Sequence, residues 1–210
     1  MRSRSELKSD AKRKLNAYWK IPVLVSGIII ILTAIFERFT GTVGTVLGFV
    51  FTSVASVYSS MLFLNIAKND NLDPVELSWM NVSSEKLLKC LIYSALMSLG
   101  TSLITLLAQI VNPLIAALVS IFILVLEVYL SFSVMAILDT NAPILNAVRI
   151  SMDLIQSNFI NTIVFGLSFL GWFILGGITF GIGLLWVFPY FSISFANYYL
   201  ELKNHKKTIM

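Results

Sequence analysis

Four long uncharged segments dominate the pattern of hydrophobic and polar positions along the chain. The first has sixteen residues, 21–36, and the second covers residues 39–67. The third has 37 residues, 90–126, and the fourth has 47 residues, 154–200. Because about 20 apolar residues in a helix cross a bilayer, each of the last two segments is too long for a single crossing.

Breaks inside the two longest segments divide each of them into two helices. Asn112 and Pro113 interrupt the third segment, since proline cannot continue the helix before it, and a glycine cluster around Gly181 interrupts the fourth. The pattern predicts an all-α polytopic membrane protein with six transmembrane helices and two interfacial amphipathic helices on the cytoplasmic side. The six spans are predicted at residues 21–36, 43–67, 87–110, 114–138, 159–177 and 182–200.

The composition agrees with a membrane protein. Hydrophobic residues make up 57% of the chain, charged residues make up only 12%, and the mean hydropathy is +0.86. An ordinary globular domain has roughly 25% charged residues, so a water-soluble fold could not cover its surface with this composition. Disorder, a fibrous chain and a cytosolic enzyme are therefore excluded.

The positions of the basic residues give the predicted orientation. Fourteen of the fifteen Lys and Arg residues fall before the first span, after the last span, or in alternate loops, and only Arg38 falls in the other loops. Basic residues accumulate on the cytoplasmic side of membrane proteins. Both termini, including a basic tail at residues 201–210, are therefore expected in the cytoplasm.

Two segments outside the spans have amphipathic helical patterns. Within residues 1–20, Ser3 and Glu6 fit a capping box, and Asp10 and Lys14 are spaced for an i,i+4 pair. Leu7, Ala11, Leu15 and Tyr18 form an apolar stripe opposite basic residues. This pattern predicts a helix that lies on the membrane and binds anionic headgroups, with a docking arm for a partner as the alternative. Residues 143–158 predict a second interfacial helix, which could also dock a cytosolic ATPase. Its predicted apolar stripe consists of Ile144, Val148, Met152, Ile155 and Phe159, and its predicted polar face consists of Asn146, Arg149, Asp153 and Gln156.

Glu127 is an acidic residue near the middle of the fourth span. A charged side chain at that depth costs about 2.5 to 3.5 kcal/mol on insertion scales, so it needs a partner. The third and fourth spans form a hairpin, which places Glu127 opposite a polar stripe of Ser94, Ser98, Thr101, Thr105 and Gln109. These residues form a candidate intramembrane polar site, either for a transported proton or cation or for a hydrogen-bonded structural contact.

Small residues at four-residue spacing predict helix packing. The second span has such a stripe, and Gly177 and Gly181 repeat the spacing near the glycine cluster. Small side chains let helices approach closely, either within one bundle or between two copies of the chain. The stripe consists of Gly44, Gly48, Thr52, Ser56 and Ser60.

Residues that carry chemistry are scarce. The chain has one cysteine, Cys90, and one histidine, His205, and no metalloprotease, nucleophile-elbow or phosphate-loop motif. We therefore expect no enzyme activity, no cofactor and no metal site, and no nucleic acid among its partners.

Two blocks of sequence resemble a known family. SELKSDAKRKL near the N-terminus and FLGWFILGGITFGIGLLWVFPY near the C-terminus resemble uncharacterised multi-pass membrane proteins of Gram-positive bacteria, grouped as a domain of unknown function. The resemblance implies an integral protein of the bacterial plasma membrane and brings no reaction or ligand.

The expected function is contact with other molecules in the membrane. A non-enzymatic accessory subunit of a transport or export system, or an immunity-type protein, fits the pattern best. The partner would be another membrane protein or a second copy. The alternative is a small secondary transporter or channel that uses Glu127.

Overall fold

The computed structural model describes residues 2–36, 38, 42–70 and 80–209, without the side chains of residues 42, 43 and 207–209. Within these ranges the chain is helical and has no strand, which confirms the all-α prediction. The helices are α1 (Arg4–Tyr18), α2 (Lys20–Phe36), α3 (Thr42–Lys68), α4 (Ser84–Val111), α5 (Pro113–Leu130), α6 (Ser133–Thr140), α7 (Ile144–Gln156), α8 (Phe159–Leu167), α9 (Leu170–Ile178) and α10 (Leu184–Ile209).

Four helical stretches among the described residues are long and apolar enough to cross a membrane. They are Gly44–Lys68, Ser84–Val111, Pro113–Thr140 and Phe159–Ile178, and the pair α1–α2 makes a fifth if it counts as one span bent by 91°. These stretches contain the predicted second to fifth spans. The helix of the predicted sixth span, α10, is not among them, because polar residues such as Asn197 lower its hydropathy.

The chain forms two compact units. Unit 1 comprises Met1–Ser83 and Val164–Met210, and unit 2 comprises Ser84–Ile163. In unit 1, α10 packs against α1, α2 and α3. Ala11 and Leu15 of α1 join a core with Phe63 of α3 and Ile193 of α10.

The apolar stripe of α1 is therefore covered by protein. Leu7, Ala11 and Leu15 are 1%, 0% and 6% exposed, whereas the sequence predicted that this helix lies on the membrane. The capping box of Ser3 and Glu6 is present as predicted. The difference arises because an amphipathic pattern shows that one face is apolar but does not show whether lipid or protein covers it.

In unit 2, α4 and α5 form the predicted hairpin. The side chain of Asn112 caps α5 by accepting a hydrogen bond from the backbone N–H of Leu114 at 2.7 Å, and Pro113 occupies the first turn. Proline is well suited to that position because the N–H it lacks has no partner within the helix.

The predicted fourth span is interrupted between α5 and α6. Ser151 of α7 satisfies the backbone there, because its hydroxyl donates to the carbonyl of Tyr129 at 2.7 Å and accepts from the N–H of Phe132 at 3.1 Å. In a bilayer, backbone groups at such a break need a partner from the protein. The contact fixes α7 against the end of α5.

The second predicted amphipathic helix is α7. Its predicted polar residues Asn146, Arg149, Asp153 and Gln156 are exposed. Its buried face is centred on Ala147, Ser151, Leu154 and Ile155, whereas Met152 of the predicted apolar stripe is 42% exposed. The stripe is rotated from its predicted position because Ser151 is needed at the break in the fourth span.

The turn between α9 and α10 contains the predicted glycine cluster. Gly181 has a φ of +85°, which glycine adopts readily, and a Cβ at Gly177 would have no neighbour within 4 Å. These two glycines therefore make no close helix contact within the chain. A Cβ at Gly183 would lie 2.9 Å from the Cα of Gly176, so close packing occurs at this pair instead.

The end of the chain also differs from its prediction. Residues 201–209, predicted as a separate tail, continue α10 to Ile209, while residue 210 lies outside the described residues. In the same region Glu201 is paired with Arg2 at 2.8 Å.

A pair of glycine variants tests the packing at this turn. We expect Gly183→Ala to lower the free energy of unfolding by about 1 to 3 kcal/mol, because the new methyl group meets backbone that cannot move aside. Gly177→Ala, which has open space, should be neutral or slightly stabilising. Thermal unfolding of the purified variants in detergent measures both, and equal effects would contradict the assigned packing.

Candidate functional site

The candidate site is a cavity of about 320 Å³ between α4 and α5 in unit 2. It brings together four of the sequence-predicted residues, Glu127, Ser94, Ser98 and Thr101, while Thr105 and Gln109 do not line it. Four further lining residues were not predicted: Tyr93, Met97, Leu130 and Ser131. The spacing of four between Tyr93, Met97 and Thr101 places them on one helix face and is a signal that could have identified the first two.

Glu127 is exposed within this cavity. In the part of the chain that the structure describes, its carboxyl group has no hydrogen bond and no ion pair. The hydroxyl of Thr101 donates to the carbonyl of Met97 at 2.9 Å, and that of Thr105 donates to the carbonyl of Thr101 at 2.8 Å. The expected contact between these hydroxyls and Glu127 is absent because they bond to their own helix.

A second polar group in the cavity also has no partner. The hydroxyl oxygen of Ser131 is buried and makes no hydrogen bond. A buried hydroxyl without a partner costs about 1 to 3 kcal/mol, so a bound group that forms a hydrogen bond with Ser131 would remove this cost. The cavity therefore presents one carboxyl group and unused hydrogen-bonding capacity.

The depth of Glu127 limits what can reach it. Glu127 is the fifteenth residue of the 28-residue stretch Pro113–Thr140. At 1.5 Å per residue, about 20 Å of helix extends on each side of it. This distance exceeds half of the ~30 Å hydrocarbon layer, so the carboxyl group lies near the bilayer centre if the stretch spans the membrane.

The surface around the cavity is apolar and largely uncovered. In the membrane-crossing windows of the stretches Ser84–Val111 and Pro113–Thr140, 11% and 6% of the residues are buried. Leu124, which lies one helical turn from Glu127 on α5, is 61% exposed. The cavity thus lies in an apolar surface that lipid or another helix can contact.

The predicted small-residue stripe of α3 belongs to unit 1. Gly44 is buried, and a Cβ at Gly48 would lie 3.6 Å from the Cβ of Phe36 on α2. A second cavity of about 290 Å³, lined in part by Thr52, lies beside this contact. Ser56 is exposed and Ser60 is half-buried. One end of the stripe therefore packs within the chain, and Ser56 is open to other contacts.

A buried lysine holds α1 against the rest of unit 1. Lys14 is 1% exposed, and its ammonium group donates to the carbonyl of Ala67 at 2.6 Å and to Asp70 at 2.8 Å. The predicted pair with Asp10 is also formed, at 3.1 Å. Asn197 of α10 donates to Asp10 at 3.1 Å. We call Asp10, Lys14, Asp70 and Asn197 the α1 clamp.

The charge of Asp10 stabilises this clamp. Burial by itself would raise the pKa of Asp10, but hydrogen bonds from Arg13 and Lys14 hold it below its ordinary value of 3.8. Asp10 therefore remains ionised at neutral pH and compensates the buried charge of Lys14. The spacing of Asp10 and Lys14 predicts their pairing, whereas nothing in the sequence shows that Lys14 is buried.

The fold and the cavity together define a helical membrane protein with a polar site in a hydrophobic surface. Residues 110–206, a little under half of the chain, match the model of a family described as protein of unknown function (DUF975). The predicted resemblance is thereby confirmed for the C-terminal block, while the N-terminal block lies outside the matched residues. No curated protein and no solved structure matches the chain.

No metal-binding cluster of three or more His, Cys, Asp or Glu side chains occurs in the described ranges. The arrangement at Glu127 offers binding of a cationic or hydrogen-bonding group. It supplies no nucleophile paired with a base.

Replacing the buried lysine tests the α1 clamp. We expect Lys14→Met to destabilise unit 1 by about 3 kcal/mol and to increase hydrogen exchange in α1, because Asp10 loses its buried partner. Lys12→Met is the matched control, since Lys12 is exposed on the same helix. Hydrogen exchange with mass spectrometry measures the effect, and unchanged protection of α1 in Lys14→Met would contradict the role of the clamp.

Proposed function

We propose that the protein is a non-enzymatic integral membrane protein that acts by contact with another membrane protein, as an accessory subunit of a transport or export system. The observation that carries this proposal is the apolar, largely uncovered surface of α4 and α5, with the carboxyl group of Glu127 in it and no bonding partner for that group among the described residues. An acidic group in hydrocarbon is costly without a partner. A second protein helix over this surface would supply one.

An immunity-type role is a variant of the same proposal. A membrane-active peptide can lie on the same surface as a subunit of an export system. The two variants differ in the partner and share the mode of action.

Transport is the second candidate function, and the cavity itself favours it. Glu127 lines a polar space of about 320 Å³ and does not face closely packed helices. A proton or cation could bind there. Against this, proton relays usually contain several ionisable groups within the membrane, and residues 90–126 and 128–138 around Glu127 are uncharged.

We also propose six spans with both termini in the cytoplasm of a bacterial cell. The split of fourteen to one among the basic residues supports this topology. In this arrangement α2 and α10 form the first and sixth spans.

Labelling of single cysteines tests the topology. In a Cys90→Ala background, we expect a membrane-impermeant maleimide to label Phe180→Cys in intact cells, because Phe180 is 98% exposed in the turn between α9 and α10. Ser5→Cys, near the N-terminus, should react only after permeabilisation. Labelling of Ser5→Cys in intact cells would overturn the proposed orientation.

Photo-cross-linking tests the contact function. A photoreactive amino acid at Leu124 lies one turn from Glu127. One at Phe122 points in a direction about 200° around α5 from that of Leu124. Both positions are exposed, at 61% and 66%, so they form a matched pair. In native membranes we expect the Leu124 probe to join one integral membrane protein through a transmembrane segment, in near-stoichiometric amount, and the Phe122 probe to give mainly lipid adducts.

Two results would contradict the contact proposal. One is an absence of protein adducts at Leu124. The other is proton or cation flux by the purified chain in proteoliposomes that is abolished by Glu127→Gln, which would establish transport instead.

A further inference from the structure

We propose that the cavity at Glu127 receives a basic side chain, Lys or Arg, from the middle of a partner's transmembrane helix. This inference rests on the proposed contact function and specifies the chemistry of the partner. It follows from the charge of the site, from its depth, and from the size of the cavity.

The carboxyl group of Glu127 requires a cation or a strong hydrogen-bond donor as its partner. Among the described residues no group is hydrogen-bonded to it, since the Thr101 hydroxyl donates to its own helix and the Ser131 hydroxyl makes no hydrogen bond. An acidic side chain in a membrane pairs with an oppositely charged group or faces water. A partner with a Lys or Arg at the same depth would complete the pair.

The depth of the site excludes two other sources of the cation. Lipid ammonium groups lie at the membrane surface, whereas about 20 Å of helix separates Glu127 from each end of its stretch. A second copy of this chain cannot supply the cation either, because no Lys or Arg lies near the middle of any of its six predicted spans. The partner is therefore a different polypeptide.

The size of the cavity agrees with one long side chain. Its volume of about 320 Å³ is at the lower end of the range of ~300 to 1,000 Å³ for small-molecule pockets. The end of one Lys or Arg side chain fits this space. The exposed leucines around the opening, such as Leu124, would pack against the apolar residues of the same partner helix.

A defined peptide tests the inference. The probe is a synthetic Leu/Ala transmembrane peptide of about 20 residues with one central Lys, compared with the same peptide carrying a central Leu. Each peptide is reconstituted in liposomes with the purified full-length chain that carries the photoreactive residue at Leu124. We expect about 3- to 20-fold more adduct with the Lys peptide, which is the range that interhelical polar contacts give in membranes.

Variants show whether Glu127 causes the preference. Glu127→Gln should abolish the preference for the Lys peptide, whereas Glu127→Asp should keep most of it. Thr105→Val is the control for folding and insertion, because Thr105 does not line the cavity. The proposal is overturned if both peptides give equal yields with the wild-type chain, or if the Lys preference persists in Glu127→Gln.

Failure of this inference can be distinguished from failure of the contact function. A native protein partner cross-linked at Leu124, together with equal yields for the two peptides, would overturn the inference that the partner supplies a basic side chain. The proposed contact function would still hold. Adducts between two copies of the chain would overturn the inference that the partner is a different polypeptide. An absence of native protein adducts at Leu124 would contradict the proposed contact function itself.

Discussion

The need to satisfy polar groups that water does not reach is the constraint on which the structure depends. Within the hydrocarbon layer, water is not available to bond the backbone where a helix is interrupted, so another part of the protein must do so. Ser151 of α7 does this at the break between α5 and α6, where it bonds the carbonyl of Tyr129 and the N–H of Phe132.

The same constraint explains both the buried lysine and the exposed carboxyl group. Lys14 is tolerated at 1% exposure because two carboxylates and a carbonyl group surround its ammonium group. Glu127 lies in the most apolar part of the chain and has no equivalent partner within the described residues. A group that the chain leaves unsatisfied at such a cost indicates where another molecule binds. The proposed function follows from this contrast.

Local features were the ones that could be predicted from the sequence. The capping box at Ser3, the helix break at Asn112 and the Asp10–Lys14 pair each involve residues within four positions of one another. The approach of Glu127 to Ser94, Ser98 and Thr101 could also be predicted, because a tight hairpin fixes which residues share a depth. The roles of Ser151 and Lys14 could not, because their partners are far away in sequence. The hydroxyl groups of Thr101 and Thr105 were expected to bond to Glu127 but donate to carbonyl groups of their own helix, as threonine in helices often does.

The central claim is that the carboxyl group of Glu127, which has no partner in the part of its own chain that the structure describes, obtains one from another protein. The most direct measurement is the infrared difference spectrum between the wild-type chain and Glu127→Gln in liposomes at neutral pH, with and without the Lys peptide. The account predicts that the bands of the Glu127 carboxyl group change when the Lys peptide is added and stay the same when the Leu peptide is added. Identical bands with and without the Lys peptide would contradict the account, because they would show that the carboxyl group does not contact the basic side chain.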